Sequence, residues 1–269
     1  MKEFNGKAIY QPKGKAAEYS KYAVSFFCGC SVGCSYCYNK KGRFKNVLGG
    51  NIPTLKKCFK ANHNALEVFE KELMENLEKL QQHGLFFSFT TDPYLPGTWV
   101  LIKLAIKRCV WNNVPVKLLT KNAISHNLMI SMYNDYKNLI AFGFTLTGHD
   151  ELEQNASTNA ERIEAMRKLH DAGFKTWASI EPIIDFESSL EMIKQTEGFC
   201  DLYKIGLESG KKYNKKQLKD FVGAVILGTT LKRISKVYFK DSLLKTAGIK
   251  REDLPKNCVN RDFNIFESK

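Results

Sequence analysis

Short apolar runs that end in polar or small residues alternate along this chain with longer segments whose apolar residues recur at helical spacing. The first kind reads as buried strands and the second as helices packed on them, so the alternation predicts repeated βα units around a parallel sheet. Six such units follow one another. Ala23–Phe27 leads into a cysteine-rich loop, Leu85–Phe89 into Thr90, Thr91 and Asp92, and Val116–Leu119 into Thr120 and Lys121. Leu139–Phe144 precedes Thr145 and Thr147, Thr176–Ile180 precedes Glu181, and Leu202–Ile205 precedes Gly206 and Glu208. Leu66, Phe69, Leu73, Leu77 and Leu80 predict a helix over Ala65–Leu80. Further helices are expected over Val100–Trp111, Ile124–Tyr136, Asn159–Ala172, Ser188–Thr196 and Lys215–Leu227. In the tail beyond about Leu231 only Val237–Phe239 has strand character.

The polar groups fall just after the strands, which is the face of a parallel barrel that carries function. The expected fold is α/β, a partial TIM barrel of the (β/α)6 kind with a short C-terminal addition. A single domain over residues 1–269 is expected, with its barrel core at about 20–240, because no repeat, low-complexity tract or Pro/Gly-rich linker divides the chain. A content of 43% hydrophobic residues suffices for one buried core. Neither a leader-like apolar start nor an apolar stretch of about 18 residues is present, so a cytoplasmic protein without a membrane span is expected. The formal net charge of +13 keeps nucleic acid open as a partner, since counterion release rewards cations near phosphates. The lysines between Lys211 and Lys219 would point in several directions on a helix and read as a solvated surface.

Four of the eight cysteines, Cys28, Cys30, Cys34 and Cys37, lie within ten residues, which points to metal rather than to a disulfide framework. Cys30-Ser-Val-Gly-Cys34-Ser-Tyr-Cys37 has C-x3-C-x2-C spacing directly after the first strand. Three thiolates can hold three irons of a cubane and leave the fourth open to a small ligand. Gly29 and Gly33 would let the loop fold tightly. A zinc site is the alternative, but zinc ribbons use two well-separated C-x2-C pairs and only one is present. Cys28 reads as a small apolar residue ending the strand. No P-loop or G-x-G-x-x-G opens a helix after a strand, and the five histidines have no paired ligand spacing.

With these motifs the chain resembles the radical S-adenosylmethionine (SAM) superfamily. Thr90-Thr91-Asp92-Pro93-Tyr94 and Ser179-Ile180-Glu181-Pro182 look like the branch related to spore photoproduct lyase. The resemblance implies a [4Fe–4S] cluster on Cys30, Cys34 and Cys37, with SAM on the open iron. One electron, from a reductant such as flavodoxin or ferredoxin, would cleave SAM to a 5′-deoxyadenosyl radical that takes a substrate hydrogen. It further implies Tyr36 beside SAM, Thr90, Thr91 and Asp92 at its methionine amino end, and Thr145, Ser179 and Glu181 near its ribose and carboxylate. Lys121, Lys240, Tyr38 and Tyr94 are secondary candidates, each with an equally simple reading as surface or packing.

Spore photoproduct lyase returns a hydrogen atom from a cysteine after its cluster loop, and no cysteine here is clearly equivalent: Cys58 comes early and Cys109 falls in an expected helix. A smaller, nucleoside-like substrate is therefore expected. Within the branch the compact chain looks similar in size and style to queuosine lyase, a radical SAM lyase that frees queuine from its nucleoside. The alternatives are a nucleic-acid lesion lyase acting on a flipped base and, outside enzymes, a zinc-bound nucleic-acid-binding protein.

Overall fold

The computed structural model describes residues 4–41, 45–123, 125–232 and 235–267. The chain opens with β1 (Ile9–Tyr10), β2 (Ala23–Val24) and β3 (Phe27–Cys28), then α1 (Lys45–Leu48), β4 (Thr54–Leu55), α2 (Asn62–Glu75) and α3 (Leu77–His83). Regular alternation follows: β5 (Leu85–Phe87), α4 (Trp99–Trp111), β6 (Val116–Thr120), α5 (His126–Tyr133), β7 (Ile140–Thr145) and α6 (Asn159–Asp171). It continues through β8 (Lys175–Ile183), α7 (Phe186–Thr196), β9 (Leu202–Leu207), α8 (Lys215–Lys232), β10 (Lys236–Phe239) and α9 (Asp241–Ala247). One sheet has the order β1-β2-β5-β6-β7-β8-β9-β10, with only the β1–β2 pair antiparallel. The order is linear and unclosed, so the architecture is a partial barrel. The tail run at Val237–Phe239 enters it as a seventh parallel strand beside the six expected.

Period-two alternation gives the sheet two apolar faces. Phe87, Leu118, Phe142, Ala178 and Ile205 face outward against helix residues such as Phe69, Ile102, Met166 and Phe221. Phe86, Ala141, Trp177, Leu202 and Tyr238 face inward. Residues after α9 close the inner layer: Val259, Phe263, Ile265 and Phe266 pack on it, and Val259 N donates to Val237 O at 2.8 Å. Because Ala141, Trp177 and Leu202 lie early in their strands, the short C-terminal addition fills one end of the barrel and leaves the strand C-termini at the other.

The structure departs from the pattern reading in four places. The fifth expected strand does not stop at Ile180 but continues through Glu181 and Pro182 to Ile183, with a shift in its pairing to β9 between Ile180 and Ile183. The run Ala23–Phe27 splits, because Ser25 N turns to Ala8 O (3.2 Å) and Phe26 O accepts from Lys56 N (2.8 Å). Cys28 consequently pairs with Thr54 in a separate two-stranded ribbon. The helix expected over Ala65–Leu80 breaks at Asn76 (φ −125°), whose side chain donates to Glu72 O at 2.9 Å and so competes with the helical ladder. Only His126–Tyr133 of the expected Ile124–Tyr136 is α-helical, and Ile124 lies outside the described residues. Among the described residues no helix is long and apolar enough to cross a membrane. Ile265, 2% exposed in the inner layer, tests the plug: Ile265→Ala is expected to cost about 2–4 kcal/mol in urea unfolding, against near zero if the tail merely rests on the barrel.

Candidate active site

The cysteine loop has almost no regular structure and is shaped from both sides. Gly29 has φ +83°, and a Cβ there would lie 2.5 Å from Ile52 O, so only glycine fits. Cys30 N donates to Gly50 O at 2.9 Å. On the other flank Ser35 N donates to Leu152 O (2.9 Å), Asn155 N to Val32 O (2.9 Å), and Asn155 Nδ2 to Ser31 O (2.9 Å). Cys30, Cys34 and Cys37 share one small apolar cluster with Val32 and Leu95. All three are free thiols. Burial raises the Cys34 thiol to about 11, and the Lys121 ammonium opposes that shift. Such thiols lose their protons once a cation supplies the missing counter-charge.

A second layer holds that flank. Glu153, fully buried, accepts from the Tyr36 hydroxyl and from Arg162. Arg162, also fully buried, donates to Thr145 O at 2.5 Å. Lys121 Nζ stands 3.8 Å from Glu153 and 5.3 Å from the centre of the Tyr36 ring. The Tyr36 hydroxyl is thereby committed to protein, and burial together with Glu153 pushes its pKa well above the usual phenol value.

The loop borders a cavity of about 420 Å³. Cys34, Tyr36, Cys37 and Tyr38 line one part; the end of β7 contributes Thr145 and the C-terminal half of β8 contributes Ser179 and Glu181; Lys240 and Tyr19 complete the wall. Glu181 accepts from Lys240 Nζ at 2.8 and 3.0 Å and from Tyr19 OH at 2.5 Å, and that hydroxyl also lies 2.7 Å from Ser179 Oγ. A Cβ on Gly206 would sit 2.6 Å from the Glu181 carboxyl carbon, so a larger residue would displace the pair.

Thr90, Thr91 and Asp92 do not line this cavity. Asp92 accepts from Thr120 Oγ1 (2.8 and 3.0 Å), Lys121 N (2.8 Å) and Tyr94 N (2.9 Å), which ties the end of β5 to that of β6. Thr90 Oγ1 donates to Phe27 O, whereas Thr91 Oγ1 is buried without a hydrogen-bond partner in the protein. Tyr94 stacks on Trp99 at 4.7 Å. Lys240 is 2% exposed and is no solvated lysine. Lys211, Lys212, Lys215, Lys216 and Lys219 are exposed around the start of α8.

Pattern reading missed Glu18, Tyr19, Glu153, Arg162 and Lys204. Glu18 is buried and accepts from Tyr238 OH (2.9 Å) and Asp241 N (2.7 Å). Lys204 donates to Glu18 O and Tyr19 O at 2.9 Å, and burial with Lys117 and Lys240 nearby pushes its pKa well below the lysine range. Only Arg162 had a legible signal, a cation in the apolar stripe it shares with Met166 and Leu169.

Among the described residues no three His, Cys, Asp or Glu side chains are already drawn together at metal-binding distance. The fit to an iron–sulfur cluster is therefore one of donor set and position: three thiols on a loop held on both flanks, two of them on the cavity wall, with the orphaned Thr91 hydroxyl at the adjoining strand end.

The chain belongs to the radical SAM superfamily, which it matches over residues 24–200. An uncharacterised protein of Methanocaldococcus jannaschii is 23% identical over 194 residues, covering 68% of this chain and 69% of that protein. A spore photoproduct lyase variant shares the fold with a TM-score of 0.63 at 15% identity, over 86% of this chain and 80% of the other. A second such variant, with bound AdoMet and dinucleoside spore photoproduct, gives 0.62 at 15% identity, over 82% and 77%. SuiB of Streptococcus suis bound to SAM gives 0.57 at 13% identity, over 89% of this chain and 50% of that one. The protein is thus an enzyme of the class that uses a [4Fe–4S] cluster and SAM, and the zinc-protein alternative falls.

Two outcomes test the site's supports. Arg162→Met leaves Glu153 buried without its partner and is expected to destabilise the protein by about 3–5 kcal/mol in urea, with Glu153→Gln/Arg162→Met recovering part of the loss. His149, at the head of the 149–155 segment, contacts Asp185 at 2.5 Å and Glu151 at 2.7 Å. Burial lowers its pKa, but these two carboxylates raise it further, so the net shift is upward from 6.5. Its stabilisation is therefore complete below about pH 6 and is lost as pH rises through the folded pKa. Comparing unfolding at about pH 6 and pH 8, His149→Gln should flatten that part of the profile; an unchanged slope would remove the ion pairs from the account.

Proposed function

We propose that Cys30, Cys34 and Cys37 hold the [4Fe–4S] cluster and that SAM and a nucleoside-like substrate share the cavity beside them. The best specific reading is queuosine lyase, releasing queuine. The observation that carries the proposal is one cavity of about 420 Å³ with cysteines in one wall and the Glu181–Lys240 pair in another. When bound, cluster and SAM supply a 5′-deoxyadenosyl radical that abstracts a substrate hydrogen.

The chain's own residues bind and orient. Glu181, an acceptor held on Lys240 and Tyr19, suits the hydroxyls of a ribose, as does the neighbouring Ser179. Tyr36, Phe89, Leu119 and Leu207 line the cavity with apolar surface that excludes water from a reactive intermediate. Thr145 lies at the end of β7, where its carbonyl is pinned by Arg162. Thr90, Thr91 and Asp92 act from behind the wall, with the unpaired Thr91 hydroxyl as the group of the three able to turn to a ligand.

A nucleic-acid lesion lyase is the second reading, favoured by Lys13 and Lys15 on the cavity wall and by a fold shared with spore photoproduct lyase. The deciding experiment is anaerobic: reconstituted protein, SAM and dithionite with either queuosine or a dinucleoside spore photoproduct, followed by mass spectrometry. Queuine together with 5′-deoxyadenosine, both lost in Cys34→Ala, is the expected result. Turnover of the photoproduct alone would transfer the proposal to the second reading.

A further inference from the structure

Between Glu18 and Glu67 the chain contains no aspartate or glutamate but eight lysines and arginines. Much of the net charge of +13 therefore falls in the segment that carries the cysteine loop. Cys34 and Cys37 line the cavity, whereas Gly29 and Cys30 back onto Gly50 and Ile52 through the close approach and hydrogen bond described above. The surface of that backing segment is unusual: Val47 is 66% and Ile52 75% exposed, and Lys40, Lys45 and Lys57 are exposed in the same stretch of chain, whereas Lys41 is paired with Glu208 at 3.0 Å.

Aliphatic side chains give nucleic-acid bases no ring to stack on, and phosphates gain nothing from an apolar centre. Apolar residues rimmed by charge of one sign fit a protein partner, and complementarity makes that partner acidic. With SAM and substrate assigned to the cavity side of the loop, an electron carrier too large to enter would approach from outside. We propose that the exposed surface of residues 45–57, centred on Val47 and Ile52, docks a small acidic electron-transfer protein, a flavodoxin or a low-potential ferredoxin. The carrier gives up one electron, its flavin passing from hydroquinone to semiquinone or its cluster from reduced to oxidised, and the enzyme's cluster gains that electron. The inference rests on the cluster assignment to Cys30, Cys34 and Cys37 and not on the identity of the substrate.

Binding of oxidised flavodoxin, followed by calorimetry on both cluster-free and reconstituted protein, tests it independently of turnover. The wild type should bind in both forms, more weakly as salt rises. Val47→Asp/Ile52→Asp and Lys45→Glu/Lys57→Glu, all at exposed positions, should each weaken binding about tenfold or more. SAM cleavage driven by dithionite, which needs no docking, should keep its wild-type rate in both variants, while cleavage driven by reduced flavodoxin should fall with the affinity. Unchanged flavodoxin affinity in both variants would overturn the proposal. So would a single-stranded thymidine oligonucleotide that loses its affinity in these variants when flavodoxin does not, for that result would make the surface a nucleic-acid track.

Discussion

A fully buried ion pair joins the helical layer of this enzyme to its cysteine loop. Arg162 projects from α6 through the apolar interface, holds Glu153, and pins the carbonyl at the end of β7. Glu153 also receives the Tyr36 hydroxyl, and its backbone bridges Cys34. A loop with little secondary structure of its own thereby inherits the rigidity of the barrel. Buried pairs of this kind seldom add net stability, because desolvation offsets the attraction. Their consequence here is positional: helix, strand end and thiols stand in one register.

A comparable arrangement orders the other side of the cavity. Glu18, Lys204, Lys240, Glu181 and Tyr19 form a chain of hydrogen bonds and ion pairs across the strand ends, with Lys240 Nζ 3.7 Å from Glu18 and 4.5 Å from the centre of the Tyr19 ring. Beneath it the apolar tail residues fill the barrel. The open space is confined between this polar floor and the cysteine loop, so substrate and SAM would meet at the strand C-termini.

Much of this was legible in the sequence, and the rest was not for identifiable reasons. Strand ends could be read because buried parallel strands are continuous apolar runs and their polar terminators stand out, as at Thr120 and Thr145. The break at Asn76 depends on one side chain taking a backbone carbonyl, which periodicity does not register. Asp92 illustrates a sharper limit: the same Asp-Pro pair serves a turn or a ligand, and its hydrogen bonds to Thr120 and Lys121 place it between strands. Glu18 and Tyr19 lie in a 3₁₀ turn and its cap, where no periodic signal exists. Their importance arises from contacts with residues about 160 to 220 positions away.

The central claim is that three cysteines hold a cluster with one iron left for SAM. Electron paramagnetic resonance of the reduced, reconstituted protein with and without SAM tests it most directly. The account predicts a reduced-cluster signal that shifts on adding SAM, persists in Cys28→Ser, and is lost when Cys30, Cys34 or Cys37 is replaced. A signal indifferent to SAM, or one that disappears with Cys28, would mean that a fourth protein ligand closes the cluster and would contradict it.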